Sequence, residues 1–196
     1  MKSIYFRIIN QKELFALYDE IEQISDPKER NAREKLLDRI HSVIGDYDVH
    51  VREYAFAQHG KSILQRGVKA SPVSGTTLKR RWGRTFSAGI CQKEKRRVMY
   101  QDFRWHLFSY QVLPALQGDD ADDAFLRTEK GKVYVFYQHC DDGWELENAH
   151  LIRPEDFVTE VPSPWTDVYL FDPVNRWTYI HTHEPDCGPY FFKVCG

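Results

Sequence analysis

Residues 167–184, DVYLFDPVNRWTYIHTHE, decide the fold because they predict a β-hairpin. Residues 167–172 and 176–183 are both rich in β-branched and aromatic side chains, and Pro173-Val174-Asn175 between them is a turn signal. Side chains alternate along a strand, so every second residue of the second strand is expected on one face. That face would hold two aromatic residues and two histidines, namely Trp177, Tyr179, His181 and His183.

Further elements are predicted on the N-terminal side of the hairpin. Apolar patterns indicate strands at residues 105–110 and 133–140. Helical patterns cover residues 78–86, 92–103 and 119–126. The predicted fold class is therefore α+β, a mainly antiparallel sheet with flanking helices.

The first 66 residues predict a small N-terminal β-α-α-β lobe. Its strands are expected at residues 4–9 and 49–55, and its first helix at residues 11–24. The second helix should begin at Ser25-Asp26-Pro27, where a capping side chain precedes Pro, and end at Gly45.

A linker is predicted between this lobe and the rest of the chain. Residues 67–77 are rich in Gly, Ser and Pro, which favours an irregular connection. Residues 78–196 would then form the α+β domain.

The composition points to a folded chain without a membrane span. The 196 residues are 42% hydrophobic and 14% aromatic, and no apolar run approaches the roughly 20 residues of a membrane helix. The N-terminus lacks the apolar region of a signal peptide, and the four cysteines, which form no CxxC pair, suit reduced thiols. The cytoplasm is therefore the expected location.

The net charge of −2 hides a strong segregation along the chain. Residues 76–104 hold nine Lys or Arg against two acids, whereas residues 105–196 hold six against sixteen. A basic patch is predicted in the first segment, made of Lys79, Arg80, Arg81, Arg84, Lys93, Arg96 and Arg97. Cations interleaved with an aromatic residue suit nucleic acid, but the acidic remainder of the chain argues against that partner. The patch could instead be a solvated helix face, or face the acidic half of the protein.

An ordered series of short motifs covers a little over half of the chain. In order they are WGRTF at 82–86, WHLFSY at 105–110, ADDAF at 121–125, VFYQH at 135–139, ENA at 147–149, DVY at 167–169, WTYIHTHE at 177–184 and GPYF at 188–191. Together they resemble a family of bacterial proteins, the domain-of-unknown-function family 4275, over about residues 78–191. The family has no established activity, so the resemblance implies a fold unit and a bacterial cytoplasmic setting but no catalytic residues.

The sequence suggests two alternative metal sites that share the ligands His181 and His183, because His-x-His on a strand supplies two nitrogen ligands. One adds Cys187 and Cys195, and the other adds His106 or His139 as a third histidine. Either would suit zinc and a metal-dependent hydrolase, which is the alternative function. The remaining spacing matches no standard zinc signature, so no cofactor is expected.

Acid–base chemistry at the strand ends is a second hypothesis. The acid–base residues that could line a cleft there are Glu184, Asp141, Asp142, His139 and Asp186. The cleft candidates taken together are His106, His139, His181, His183 and Glu184. A catalytic pair requires closeness and separated pKa values, which a sequence does not display. The chain has no phosphate-cradling glycine loop, nucleophile elbow or Rossmann fingerprint, so the sequence does not favour an enzyme.

The leading hypothesis is a protein-binding module without catalysis. Exposed Trp and Tyr make strong interface contacts, and acidic side chains steer basic partners. An immunity-type protein that blocks a toxin is one form of this hypothesis, by analogy of class alone. A protein partner is expected and a membrane is not, while the sequence selects no oligomeric state.

Overall fold

The structure, a computed structural model, describes residues 11–157, 167–184 and 186–194. The chain divides into two compact units, residues 1–59 and residues 60–196. The strand predicted at residues 4–9 lies outside the described residues. Among the helices described here, none has the length and apolar character needed to cross a membrane.

The first unit is helical in its described part. Helix α1 (Gln11–Glu22) is followed by α2 (Pro27–Gln65), a helix of 39 residues whose bounds extend past residue 59. The predicted start of α2 is confirmed, and the Asp26 carboxylate accepts a hydrogen bond from the backbone N–H of Lys28 at 2.9 Å. The Tyr18 hydroxyl donates to Asp38 at 2.9 Å, which ties α1 to α2.

The strand predicted at residues 49–55 is wrong, since these residues belong to α2. Gly45, the predicted end of the helix, lies inside it, and nothing lies within 4 Å of the position that a Cβ would take. A glycine within a helix costs only about 1 kcal/mol relative to Ala, so one glycine does not stop a long helix. The alternation at Val49 and Val51 was therefore mistaken for a strand pattern.

The second unit is built on one seven-stranded antiparallel sheet. Its strands in chain order are β1 (Lys69–Pro72), β2 (Leu116–Gln117), β3 (Val133–Tyr137), β4 (Gly143–Glu147), β5 (Val168–Asp172), β6 (Trp177–His181) and β7 (Tyr190–Lys193). In the sheet they lie in the order β1-β4-β3-β5-β6-β7-β2. The predicted fold class, α+β with a mainly antiparallel sheet, is confirmed.

The predicted hairpin is confirmed as β5 and β6, which pair from Val168 opposite His181 to Asp172 opposite Trp177. The Asp172 carboxylate accepts hydrogen bonds from the backbone N–H groups of Val174 at 2.8 Å and Asn175 at 3.0 Å. An aspartate bonded to the backbone two or three residues on stabilises a turn, which accounts for the position of the hairpin loop.

Helices cover both faces of the sheet. They are α3 (Gly75–Phe86), α4 (Gln92–Arg97), α5 (His106–Ser109) and α6 (Asp119–Arg127), with 3-10 helices at Ala149–Leu151 and Pro154–Phe157. On one face, Trp82 of α3 donates its indole N–H to the Thr178 hydroxyl at 2.9 Å. On the other face, the Phe125 ring of α6 stacks on Tyr179 at 4.4 Å between centroids. Because both faces are covered, β3 and β5 are buried along their whole length.

An aromatic core fills the space between the sheet and α3. Trp82 lies at its centre and contacts the rings of Phe86, Phe136 and Tyr169 at 5.4–6.4 Å. The core includes Leu78, Trp82, Phe86, Val98, Tyr100, Trp105, Leu107, Phe108, Tyr134, Phe136, Tyr169, Phe171, Ile180 and Tyr190.

The strand predicted at residues 105–110 is wrong. The segment contains α5, in which His106, Leu107 and Phe108 are all buried. Aromatic and apolar residues favour a strand only where neighbouring strands offer a surface for them to pack against. Here the same side chains are buried in the core although their backbone is helical.

The segment predicted as a linker, residues 67–77, contains β1 and the first turn of α3. β1 pairs with β4, and the Ser74 hydroxyl and the Asp141 carboxylate accept hydrogen bonds from Thr77 and Thr76 at the start of α3. Two residues that suggested a linker therefore have structural roles. Ser74 caps α3, and Gly75 allows the backbone to pass close to that of Asp141 and Asp142.

Candidate functional site

Three of the four predicted histidines converge on one aromatic ring, that of Phe103. The distances from its centroid are 5.0 Å to His106, 5.5 Å to His139 and 5.6 Å to His183. These four residues together with Asp167 are called the histidine cluster below.

The Asp167 carboxylate joins two of these histidines. It is 1% exposed, and its oxygens lie 2.9 Å from Nδ1 of His183 and 3.3 Å from Nε2 of His139. The backbone N–H of His183 also donates to Asp167 at 2.9 Å. A buried carboxylate is stable only when it is bonded in this way, so Asp167 holds both imidazoles in place.

Asp167 also orients the His183 ring. Both of its carboxylate oxygens lie within hydrogen-bond distance of Nδ1 of His183, at 2.9 and 3.1 Å. Nε2 of His183 lies 3.9 Å from the Glu184 carboxylate, and the His183 side chain is one third exposed. Of the predicted cleft residues, Glu184 therefore lies beside the cluster.

His106 is a structural residue of the cluster. Its Nδ1 lies 2.7 Å from the Val98 carbonyl oxygen, the residue is 6% exposed, and its ring packs against Trp105 at 4.3 Å. These contacts hold the turn after α4 against α5.

His181 does not join the cluster. It follows Trp177 and Tyr179 along β6, on the face that packs against α6, and its Nδ1 is buried without a hydrogen-bond partner in the described structure. Burial holds the pKa of His181 below its ordinary value. His183 instead packs against Phe103 and Trp105, so the prediction that both histidines share a face is wrong. The reason is that β6 ends at His181, and strand alternation ends with it.

The structure gives no support to the predicted metal sites. His181 and His183 diverge, and Cys195 lies outside the described residues. Within residues 11–157, 167–184 and 186–194, no three or more His, Cys, Asp or Glu side chains form a group that could hold a metal ion. Cys91, Cys140 and Cys187 are free thiols, and burial raises the pKa of Cys140 to about 11 and raises that of Cys187. Neither of the latter two is a ready nucleophile at neutral pH.

A second candidate site is a groove of about 380 Å³ beside α3. It is called the basic groove and is lined by Lys79, Arg80, Gly83, Arg84, Ser87, Ala88, Lys95, Tyr100, Gln101 and Arg104. Five of these residues are cationic and none is acidic. Among the ion pairs of the described residues, none involves these five cations.

Tyr100 forms the floor of the basic groove. Lys95 Nζ lies 5.2 Å and Arg104 Cζ 5.3 Å from the centroid of its ring. The Tyr100 hydroxyl is 2.9 Å from that of Ser87, which fixes the ring against α3. One aromatic ring thus gathers two cations that would otherwise repel each other.

Lys79 reports the electrostatic character of the basic groove. Burial and then the nearby charge of Arg104 lower the pKa of its ammonium group, while the charge of Asp141 opposes the shift. The Lys79 Nζ donates a hydrogen bond to the Cys140 carbonyl at 2.7 Å.

The predicted basic patch is divided by the fold. Lys79, Arg80 and Arg84 line the basic groove, and Arg80 and Arg84 also line a second cavity of about 450 Å³ with Arg81, which lies over the Tyr134 ring at 4.3 Å. Arg97 instead pairs with Glu94 at 2.9 Å. Lys93 and Arg96 are exposed on α4 and do not line the groove.

Three functional candidates were missed by the sequence analysis: Asp167, Lys95 and Arg104. The sequence places Asp167 at the start of a predicted strand, but its contact with two histidines depends on the fold. Lys95 and Arg104 belong to the basic segment, and only the packing around Tyr100 distinguishes them from their neighbours.

Fold and site define an α+β domain with an aromatic core, a buried aspartate between two histidines and a basic groove. The model of one protein family matches residues 50–191, well over half of the chain. The chain belongs to this family, described as Domain of unknown function (DUF4275). The match confirms the resemblance and extends it towards the N-terminus, into α2. No curated protein and no solved structure matches the chain.

Proposed function

We propose that the protein is a protein-binding module whose basic groove receives an acidic segment of a partner protein. The observation that supports this function is the set of five cations in the groove, none of them paired with an acid among the described residues. An immunity-type protein, which acts by blocking a toxin, is one form of such a module. The expected bacterial, cytoplasmic setting is part of the proposal.

The side chains of the groove suit carboxylates. Arg80 and Arg84 are exposed and one helical turn apart on α3, so both guanidinium groups point to the same side of the helix. Arginine binds a carboxylate with two parallel hydrogen bonds, which gives an acidic segment a defined orientation.

A protein fits the charge distribution better than a nucleic acid does. Residues 105–196 carry ten more acids than Lys and Arg, and this negative charge repels a long phosphate backbone more than a short acidic segment that is confined to the groove. The groove, at about 380 Å³, is also small: it has room for a few side chains but not for a nucleic-acid strand that runs along it.

Fluorescence anisotropy with a labelled octaglutamate peptide and a labelled single-stranded RNA of 12 nucleotides tests the proposal. The groove variant is Arg80→Glu/Arg84→Glu. The matched control is Lys93→Glu/Arg96→Glu, which makes the same charge change in the same basic segment but outside the groove.

We expect wild type and control to bind the peptide, and the groove variant to lose at least about tenfold in affinity, or 1.4 kcal/mol. An equal loss of peptide affinity in the groove variant and the control would mean that the peptide is attracted by the overall positive charge rather than bound at the basic groove. RNA binding that is tighter than peptide binding and depends on Arg80 and Arg84 would replace the protein partner with a nucleic acid.

A further inference from the structure

We infer that the basic groove binds a phosphorylated side chain, which Lys79, Lys95 and Arg104 hold. This inference rests on the proposed function, because it names the group that the partner presents to the groove. The three cations come from α3, from α4 and from the turn after α4, and each is half-buried.

The amount of converging charge favours a dianion over a carboxylate. Lys95 and Arg104 lie against the same ring, and the charge of Arg104 also acts on Lys79. A carboxylate supplies one negative charge, whereas a phosphate monoester supplies about −1.5 to −2 at pH 7. The three free oxygens of the phosphate accept hydrogen bonds from several directions. This suits the basic groove, where the donors come from three different segments of the chain.

The donors are positioned before any ligand binds. Nη1 of Arg104 donates to the Gln138 side chain at 3.2 Å while the guanidinium lies over Tyr100, so the orientation of the side chain is fixed. Lys79 uses one of its three protons for the Cys140 carbonyl and keeps two. Preorganised donors lower the entropic cost of binding.

A phosphorylated side chain fits the groove better than a nucleotide. A nucleotide base needs an aromatic face to stack on, and Tyr100 is the only aromatic residue that lines the groove. That ring is 6% exposed and has Lys95 and Arg104 against it. The groove therefore offers sites for phosphate oxygens and no platform for a base.

The test uses the full chain, two labelled peptides and two unlabelled competitors in fluorescence anisotropy. A labelled pentapeptide with phosphoserine between glycines is compared with the same peptide carrying glutamate, and AMP and free O-phosphoserine are the competitors. The variants are Lys95→Gln and Arg104→Lys, and Lys93→Gln, an exposed neighbour on α4 outside the groove, is the matched control. If Arg104→Lys does not fold, Lys95→Gln still tests the inference, because the Lys95 ammonium group makes no hydrogen bond or ion pair among the described residues, and its loss should not disturb the fold.

We expect the phosphoserine peptide to bind at least about tenfold more tightly than the glutamate peptide, a difference of 1.4 kcal/mol. Lys95→Gln should remove most of that difference, and Lys93→Gln should leave it unchanged. Equal affinity for both pentapeptides would overturn the inference while octaglutamate binding, if it persists, leaves the proposed function standing. Displacement of the phosphopeptide by AMP at lower concentration than by free O-phosphoserine would also overturn it, in favour of a nucleotide.

Discussion

A single buried carboxylate, Asp167, ties His183, two residues after β6, to His139, two residues after β3. It accepts from the backbone and the ring of His183 and contacts His139. Replacing it with alanine leaves these part-buried donors without their acceptor. We expect Asp167→Ala to lower the free energy of unfolding by about 1–3 kcal/mol, measured by urea denaturation.

Two variants provide controls for this prediction. Asp167→Asn keeps the shape and an acceptor oxygen, and should cost less than Asp167→Ala. Asp186→Ala removes an exposed aspartate and should be nearly neutral. If Asp167→Ala were as stable as wild type, the bonds to His183 would contribute nothing to the fold.

His181 makes stability depend on pH. Burial lowers its pKa below the ordinary value of 6.5, so the unfolded chain binds a proton at a higher pH than the folded chain does. The contribution of His181 is complete above pH 6.5 and is lost as the pH falls towards the folded pKa, with a slope of at most about 1.4 kcal/mol per pH unit.

His181→Phe should therefore flatten the decline in stability between pH 7.5 and 5.5, measured by urea denaturation at each pH. All other titrating groups are the same in the two proteins, so the difference between their curves isolates His181. Parallel curves would show that His181 is protonated as readily in the folded protein as in the unfolded chain.

At the scale of elements, one hydrogen bond joins α3 to the centre of the sheet. The Trp82 indole donates to the Thr178 hydroxyl, which donates in turn to the Leu170 carbonyl at 2.9 Å. Thr178→Val preserves the shape of the side chain and leaves the indole N–H of Trp82 buried without an acceptor. We expect a loss of about 1–3 kcal/mol in the free energy of unfolding.

A double-mutant cycle separates this bond from packing. In a Trp82→Phe background there is no indole N–H to leave unpaired, so Thr178→Val should cost clearly less there than in wild type. If Thr178→Val lowered the free energy of unfolding equally in both backgrounds, its effect would come from packing within the sheet and not from the bond to Trp82.

The junction of β4 with the start of α3 depends on glycine. A Cβ on Gly143 would lie 2.6 Å from the Val73 carbonyl oxygen and 2.9 Å from the Leu78 side chain. We expect Gly143→Ala to destabilise the protein by about 1–3 kcal/mol in thermal or urea unfolding, because backbone must move. Gly89→Ala is the control, since nothing lies within 4 Å of a Cβ there, and it should be close to neutral.

Elements were predictable from the sequence where local signals and burial agree. The β5–β6 hairpin has two β-prone segments around the turn signal Pro173-Val174-Asn175, and it is confirmed. The helix predicted at residues 78–86 is also confirmed, although α3 begins three residues earlier, at Gly75, behind a Ser74 cap that the sequence did not indicate. Residues 105–110 have the composition of a strand, and their helical turn is imposed by the core. Likewise, the sequence identifies His139 and His183 as candidate site residues, because imidazoles can bind protons and metals. It does not identify Asp167, because the contacts of Asp167 with these histidines join segments that are distant in the chain.

At the scale of the whole molecule, the division of the chain can be tested by truncation. The aromatic core lies entirely within residues 60–196, and Val68 is buried, with Asn148 bonded to the Gly67 carbonyl at 3.0 Å. Arg66 also forms an ion pair with Asp156. We expect a chain that begins at Gly60 to keep the near-ultraviolet circular dichroism and a thermal midpoint close to that of the full protein.

A chain that begins at residue 78, the predicted domain start, is the comparison. It lacks β1 and the caps of α3, and it leaves β4 as an unpaired edge. Its midpoint should be clearly lower. If the two truncated chains melted alike, residues 60–77 would not be part of the folded unit.

The edges of the sheet limit how this protein can associate. The edge strands β1 and β2 are only four and two residues long, and β1 ends in Pro72, which has no N–H to donate. Short edges with proline offer few free backbone groups to another strand. Partners are therefore expected to be recognised through side chains rather than by adding a strand to the sheet, and the same feature protects the folded protein from growing edge to edge into fibres.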